Sequence, residues 1–284
     1  MDIPHSSARQ GGTRLCALHK EPARPPTLDR QAALFVDVDG TLLEIALRPE
    51  LVEVPAGLPA LLGRLSRQRG GALALVSGRG LADLDRLFAP WRGAAAGLHG
   101  AERRRADSSL APSGETPEDH AAAAALDRLR PPLIDFVARL PGVRLEDKGR
   151  TVALHYREAP ERAAEIGDLA AGLVRDSGDR LRLIVGKMVV ELQPRCHGKD
   201  RAIAAFLAEP PFGGRLPVFL GDDTTDEDGF SEINRRGGVS IRVGAPGPAT
   251  AASYALPSVA ETLDWLAGNA GGRSRSRLPG TRPA

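Results

Sequence analysis

The sequence predicts an α/β fold: a Rossmann-like core on a parallel sheet, interrupted by an inserted α+β cap of antiparallel sheet and two helices. Three observations predict it. From about Arg30, short apolar runs alternate with amphipathic helical stretches, the pattern of parallel strands joined by crossover helices. Near the middle of the chain the alternation gives way to helix, hairpin, helix, hairpin, then resumes. Three of the apolar runs stop abruptly at polar residues, as buried strands do where an open α/β sheet places its ligand site.

Ala32 to Val36 reads as the first strand. Pro55 to Gln68 carries Leu58, Leu61, Leu62 and Leu65, the i, i+3, i+4, i+7 stripe of a core-facing helix. Ala72 to Val76 is a second strand, Leu81 to Phe88 a second helix and Ala94 to Leu98 a third strand. Glu118 to Leu140 is helical, and Pro131-Pro132 is expected to break or kink it. Val143–Leu145 and Thr151–Arg157 flank Glu146-Asp147-Lys148-Gly149, a hairpin turn by composition. After a helix at Glu161 to Val174, Leu181–Val185 and Met188–Gln193 form a second hairpin around Gly186-Lys187. The core pattern resumes with a helix at Lys199 to Leu207, a strand at Pro217 to Leu220, a helix at Asp226 to Arg236, a strand at Val239 to Val243 and a helix at Val259 to Ala267. The expected organisation is a disordered extension over 1–28, core over 29–107 and 195–267, cap over 108–194, and a disordered basic tail over 268–284.

Composition excludes several classes of function. The chain has 284 residues, 42% hydrophobic and 26% charged, ordinary for a globular protein. Aromatics make up only 4%, too few for base-stacking surfaces. The formal charge of +2 is smaller than the contribution of Arg273, Arg275, Arg277 and Arg282 in the tail, so the body is slightly acidic and carries no nucleic-acid footprint. Cys16 and Cys196 are too few for a disulfide framework, which fits a reducing, cytoplasmic setting. No run of about 18 apolar residues exists to span a membrane, and the leader lacks the apolar stretch of a signal peptide. A monomer acting on a small molecule is the expectation.

The chemistry gathers at the strand ends. The first strand runs into Asp37-Val38-Asp39-Gly40-Thr41, the second into Ser77-Gly78-Arg79, and Val218 to Gly221 into Asp222-Asp223-Thr224-Thr225-Asp226. Gly198-Lys199 opens a core helix between them in the chain. Asp37 and Asp39 point the same way, because strand side chains alternate with period two, and they repel unless a cation or a shared proton separates them. Taken alone, the segment is equally an Asp-Gly turn after an ordinary strand. A parallel sheet, however, brings Asp37, Asp39, Asp222, Ser77 and Lys199 to one edge. Three converging carboxylates imply a divalent cation, and an all-oxygen donor set selects a hard one such as Mg²⁺. A hydroxyl and a lysine beside it suit an oxyanion, phosphate above all, and Asp37 and Asp39 then fit a nucleophile and an acid–base group. There is no G-x-S-x-G elbow, no glycine-rich loop before Gly198-Lys199 and no dinucleotide fingerprint. Cys196-His197 offers two ligands for a soft metal, fewer than a site needs.

These segments resemble the four ordered motifs of the haloacid-dehalogenase-like phosphohydrolases: Asp37 to Thr41, Ser77, Lys199, and Asp222 with Asp226. Ser77-Gly78-Arg79, Gly97 to Glu102, His155-Tyr156-Arg157, Gly186-Lys187 with Val190-Glu191-Leu192, and Gly221 to Glu227 narrow the resemblance to the trehalose-6-phosphate phosphatase family, from about Ala32 to Ala267. The resemblance implies a Mg²⁺-dependent hydrolase core that carries out the final step of trehalose biosynthesis through an aspartyl-phosphate. Asp37 would be nucleophile and metal ligand, Asp39 the acid–base group and a metal ligand through its main-chain carbonyl, and Asp222 the third ligand. Ser77 and Lys199 would bind the transferring phosphoryl group, with Asp223 and Asp226 supporting from behind. Substrate contacts would come from Asp37, Val38, Asp39, Gly78, His99, Lys187 and Glu191. Gln193 departs from the basic residue common in relatives, and Asp200 from the glycine that commonly follows the motif lysine. Phosphatases of sucrose phosphate or mannosylglycerate phosphate, a phosphosugar mutase, and a non-catalytic sensor are the alternatives.

The cap strands carry their own check. Lys187, Val189 and Glu191 share one face, and Met188, Val190 and Leu192 the other. The apolar face should cover the cap helices and leave Lys187 and Glu191 toward the core. Val152, Leu154 and Tyr156 should likewise face inward. His155 and Arg157 then lie on the open face, either as sugar contacts or as a solvated ion pair.

Overall fold

A computed structural model of the chain describes residues 23–271, apart from residues 47, 49–50, 113–115, 187 and 246–248. Its main sheet has seven strands in the order β11-β10-β9-β1-β2-β3-β4. These are β1 (Ala33–Val36), β2 (Leu73–Val76), β3 (Ala94–Gly97), β4 (Glu102–Arg104), β9 (Pro217–Gly221), β10 (Val239–Val243) and β11 (Tyr254–Leu256). All neighbours are parallel except β3 and β4. β1 therefore lies between β2 and β9, so the three strands that end in Asp37, Ser77 and Asp222 are adjacent.

Period-two alternation divides each central strand between two hydrophobic cores. Leu34, Val36, Leu73, Leu75, Val218 and Leu220 face α1 (Leu58–Gln68), α2 (Leu81–Phe88) and α7 (Val259–Ala270). Phe35, Ala74, Val76 and Phe219 face α5 (Lys199–Leu207) and α6 (Glu227–Arg235). Phe35 stacks on Phe212 with ring centroids 5.4 Å apart, and Phe219 meets Phe230 at 5.4 Å.

A second, four-stranded antiparallel sheet is ordered β5-β6-β8-β7. It comprises β5 (Arg144–Asp147), β6 (Val152–His155), β7 (Leu181–Gly186) and β8 (Val189–Pro194). Val152, Leu154, Tyr156, Val190 and Leu192 pack against α3 (Pro117–Val137) and α4 (Ala163–Asp176), as the alternation requires. Its other face turns toward the core.

Several expectations change. α3 runs through Pro131-Pro132 without a break. Both prolines are exposed, as are Asp127 and Arg128, whose carbonyls lose their helical donors, so water can satisfy those groups. Met188 is not on the apolar face: with φ of 64° it belongs to the turn that leads into Val189. Residues 23–28 are not a disordered extension. Ala23 bridges Tyr254, the Leu28 N–H donates to Asn269 Oδ1 at 2.7 Å, and the Leu28 side chain joins the core. α7 continues to Ala270, and residues 1–22 and 272–284 lie outside the described residues. β4 and β11 are short edge strands that composition does not reveal. β4 is Glu-Arg-Arg, and its buried Arg104 is held by the Gly93 carbonyl at 3.0 Å and Asp85 at 2.8 Å.

Phe219→Ala is expected to cost about 3–5 kcal/mol, because its ring is fully enclosed between α5 and α6 and the cavity cannot collapse onto a sheet strand. A urea unfolding midpoint within error of the parent chain would contradict this account of the core.

Candidate active site

The site lies where β1, β2 and β9 end. Asp37, the first residue past β1, is buried, and its N–H donates to the Leu220 carbonyl on β9 at 2.9 Å. Lys199, the first residue of α5, donates to Asp37 Oδ1 at 2.8 Å and to Asp226 Oδ1 at 2.6 Å. Asp226 Oδ2 accepts the N–H groups of Asp222 and Asp223, each at 3.0 Å, and so shapes the turn after β9. Carboxylate oxygens of Asp37, Asp222 and Asp226 all lie within 4.8 Å of one another.

Gly40 makes this crowding feasible. It has φ of 81°, and a Cβ there would sit 2.1 Å from Asp222 Oδ2. Only a residue without a side chain lets the Asp222 carboxylate settle over the turn that follows Asp37.

Burial pushes the Asp37 carboxyl well above its ordinary value; Lys199 opposes this, while Asp226 and Asp222 add to it. Burial alone would lower Lys199, but Asp226 and Asp37 outweigh it and keep the ammonium charged. Asp37 and Asp226 thus share the Lys199 ammonium, and Asp222 brings a third carboxylate to the same point. This all-oxygen donor set fits a hard divalent cation held by Asp37 and Asp222.

The second strand end supplies the opposite wall. Ser77 is buried and accepts the Arg79 N–H on its Oγ at 3.1 Å. Arg79 turns back and grips Asp39 with Nε and Nη2, both at 2.7 Å. Gly78 allows His99 to approach: a Cβ at Gly78 would lie 2.7 Å from His99 Nε2. His99 itself has φ of 53°, and its N–H donates to the Ser77 carbonyl at 2.9 Å.

Between this edge and the cap sheet lies a cleft of about 510 Å³, lined by Asp37, Asp39, Ser77, Lys199, Asp222 and Glu191 among others. Such a volume suits a small molecule. On the cap side, Lys148 Nζ donates to Glu191 Oε2 at 3.1 Å, and His99 Nε2 lies 3.7 Å from the same oxygen. Burial would raise the Glu191 carboxyl, but Lys148 and His99 hold it well below the ordinary range. Glu191 Oε1 is buried with no hydrogen-bond partner among the described residues. His155 Nε2 pairs with Glu146 Oε2 at 2.7 Å, and Arg157 reaches the Ala46 carbonyl of the core at 3.0 Å. Both line the cleft, as does Asp223. Val38 is buried in the core beneath, Gln193 is buried outside the cleft lining, and Lys187 lies outside the described residues.

As sequence, Arg79 reads as a helix cap or the partner of a core acid without a catalytic role, and the structure pairs it with Asp39; Lys148 is not singled out by the sequence. Lys148 sits in a segment that reads simply as a turn. Only the density of charge in Glu146-Asp147-Lys148 sets it apart.

The Glu191 carboxylate gives a pH signature. Its folded pKa lies below its ordinary value of 4.5, so its contribution to stability is full above that value and fades as pH falls below it. Glu191→Gln should therefore lower the melting temperature near about pH 7, and that deficit should shrink progressively as pH falls below 4.5. A deficit that stays constant on acidification would contradict an ionised Glu191 held by Lys148.

Comparison with known proteins agrees with the geometry. The trehalose-phosphatase family model matches residues 35–260. A probable trehalose-phosphate phosphatase of Sinorhizobium fredii is 48% identical over 231 residues, covering 81% of this chain and 84% of the relative. The trehalose-6-phosphate phosphatase of Escherichia coli is 43% identical over 241 residues, covering 85% and 87%. The C-terminal domain of Candida albicans trehalose-6-phosphate phosphatase shares the fold, with a TM-score of 0.75 at 20% identity over 88% of this chain and 99% of that one. Since the family match takes in every residue that lines the cleft, from Asp37 to Thr225, the chain belongs to the trehalose-phosphatase family of phosphoric monoester hydrolases.

Proposed function

We propose that this chain hydrolyses trehalose 6-phosphate to trehalose and phosphate, with Asp37 as nucleophile and Mg²⁺ as the cation. The observation that carries the mechanism is the Lys199 ammonium, which holds Asp37 at the end of β1 while Asp222 and Asp226 crowd the same point.

Asp37 Oδ2, the oxygen not bound to Lys199, attacks phosphorus and forms an aspartyl-phosphate as the bond to the sugar oxygen breaks. Lys199 and the Ser77 hydroxyl hold the phosphoryl oxygens in line. Asp39 gives a proton to the departing sugar oxygen, then takes one from the water that attacks the aspartyl-phosphate. Both Asp39 oxygens accept from Arg79 in this structure, yet each keeps a lone pair for that proton. Arg79 thus aims Asp39 as well as pairing with it. Asp37, Asp222 and the Asp39 main-chain carbonyl would hold Mg²⁺, which when bound neutralises charge on the phosphoryl oxygens.

The sugar would lie against the cap. Glu191 Oε1, buried and without a partner among the described residues, offers an acceptor for a sugar hydroxyl, and Lys148 and His99 keep that carboxylate ionised for the purpose. Gly78 and the adjacent His99 define how closely the sugar can approach the phosphoryl site. These polar groups select a hydroxyl-rich ligand. A product left as a rearranged sugar phosphate would instead favour a mutase.

Asp37→Asn should lower kcat on the order of 10⁴-fold or more, with an unchanged far-UV spectrum, since removing a covalent nucleophile has effects of that scale. Near-normal phosphate release by this variant would remove Asp37 from its role. Across a panel of trehalose, sucrose, glucose and mannosylglycerate phosphates, release should be fastest from trehalose 6-phosphate and should cease when EDTA removes the cation. Faster turnover of another member would overturn the substrate and leave the mechanism standing.

A further inference from the structure

We propose that Asp119, Cys196 and His197 form a second cation site, for a soft or borderline divalent ion such as Zn²⁺, tying the first turn of α3 to the segment that leads from β8 into α5. Asp119 lies 77 residues from Cys196, and the fold brings them together. His197 Nε2 is 2.8 Å from Asp119 Oδ1, Cys196 Sγ is 3.5 Å from the same oxygen, and all three donor atoms lie within 4.8 Å of one another. Zinc bond lengths place the donors of a tetrahedral site about 3.3–3.7 Å apart, so small side-chain rotations suffice to receive an ion.

The donor types matter as much as the distances. The group near Asp37 is all oxygen, whereas this one combines thiol, imidazole and carboxylate, the set that prefers zinc-like ions to magnesium. The carboxylate is already oriented from behind. Asp119 Oδ2 accepts from Thr116 Oγ1 at 2.8 Å and from Thr116 N at 3.3 Å in the capping box of α3, leaving Oδ1 for its partners. A cavity of about 240 Å³, lined by Asp119, His197 and also His120, opens beside the group and leaves room for a fourth ligand.

Arg150, which also lines that cavity, and Arg201 are the neighbouring positive charges. They do not oppose the complex as a whole, because a divalent ion with one thiolate, one carboxylate and a neutral imidazole carries no net charge. Binding displaces the thiol proton that Cys196 now shares with Asp119, and that proton passes to solvent. His197 stands two residues before Lys199, so a bound ion would fix the start of α5 against the cap.

The test uses the full chain carrying Cys16→Ser, which leaves Cys196 as its sole cysteine. Excess Mg²⁺ is present to fill the oxygen site, and Co²⁺ is the probe. One equivalent should produce a thiolate-to-cobalt charge-transfer band, which Cys196→Ala and His197→Ala both abolish. Zn²⁺ should raise the melting temperature of the parent and not of Cys196→Ala, because an ion that binds only the folded state stabilises it. Absence of the thiolate band, or cobalt absorbance unchanged by Cys196→Ala, would mean that cobalt sits only at the oxygen site. Either result would reject the proposal, as would a melting temperature equally insensitive to Zn²⁺ in both proteins.

Discussion

One buried ammonium, Lys199 Nζ, stands between the carboxylates of Asp37 and Asp226, and the active-site edge is arranged around it. Charges this deep persist only when paired, and removing one partner of a buried pair costs about 3–5 kcal/mol because the other is left without compensation. The pairing constrains the backbone on three sides. β1 must end where Asp37 can reach the ammonium, and α5 must begin at Lys199. The turn after β9 must bring Asp226 back so that its second oxygen collects the N–H groups of Asp222 and Asp223. Gly40 completes the arrangement by leaving space for the Asp222 carboxylate above the first turn.

The cap repeats this logic at lower density. Glu191 is enclosed, and Lys148 and His99 supply the positive character that keeps it ionised. His99 belongs to the core and Lys148 to the cap, so one carboxylate reads both halves of the cleft. Further contacts join the halves around the rim. Thr224 Oγ1 donates to the Val185 carbonyl at 2.8 Å, and Arg157 reaches the Ala46 carbonyl at 3.0 Å. A ligand in the cleft would meet surfaces already held in register, which lowers the entropy lost on binding.

Much of the candidate site is legible in the linear chain because its chemistry follows strand ends. An apolar run that stops at Asp37, another at Ser77 and a third at Asp222 need only the rule that parallel strands share a carboxyl edge. The structure adds that these three strands are neighbours, with β1 between the other two. α3 shows where local rules fall short. Two adjacent prolines argue for a break, but exposure of that face lets water satisfy the carbonyls they leave unpaired. Residues 23–28 show the same limit, since they are ordered by distant partners: Ala23 by Tyr254, and Leu28 by Asn269 and the core its side chain joins.

The sequence by itself determined the α/β core with its insert, the acids and the lysine that gather at the strand ends, and which faces of β6 and β8 are apolar. Each of these is encoded by periodicity or by residue type at a strand or helix end, and both are local properties. Only the tertiary structure decided that Arg79 grips Asp39, that Lys148 and His99 converge on Glu191, and that Asp119 meets Cys196 and His197. Those pairs are 40, 43 and 77 residues apart for Arg79–Asp39, Lys148–Glu191 and Asp119–Cys196. The reach of a long side chain across such separations depends on how helices and sheets pack, which no local pattern of residues specifies.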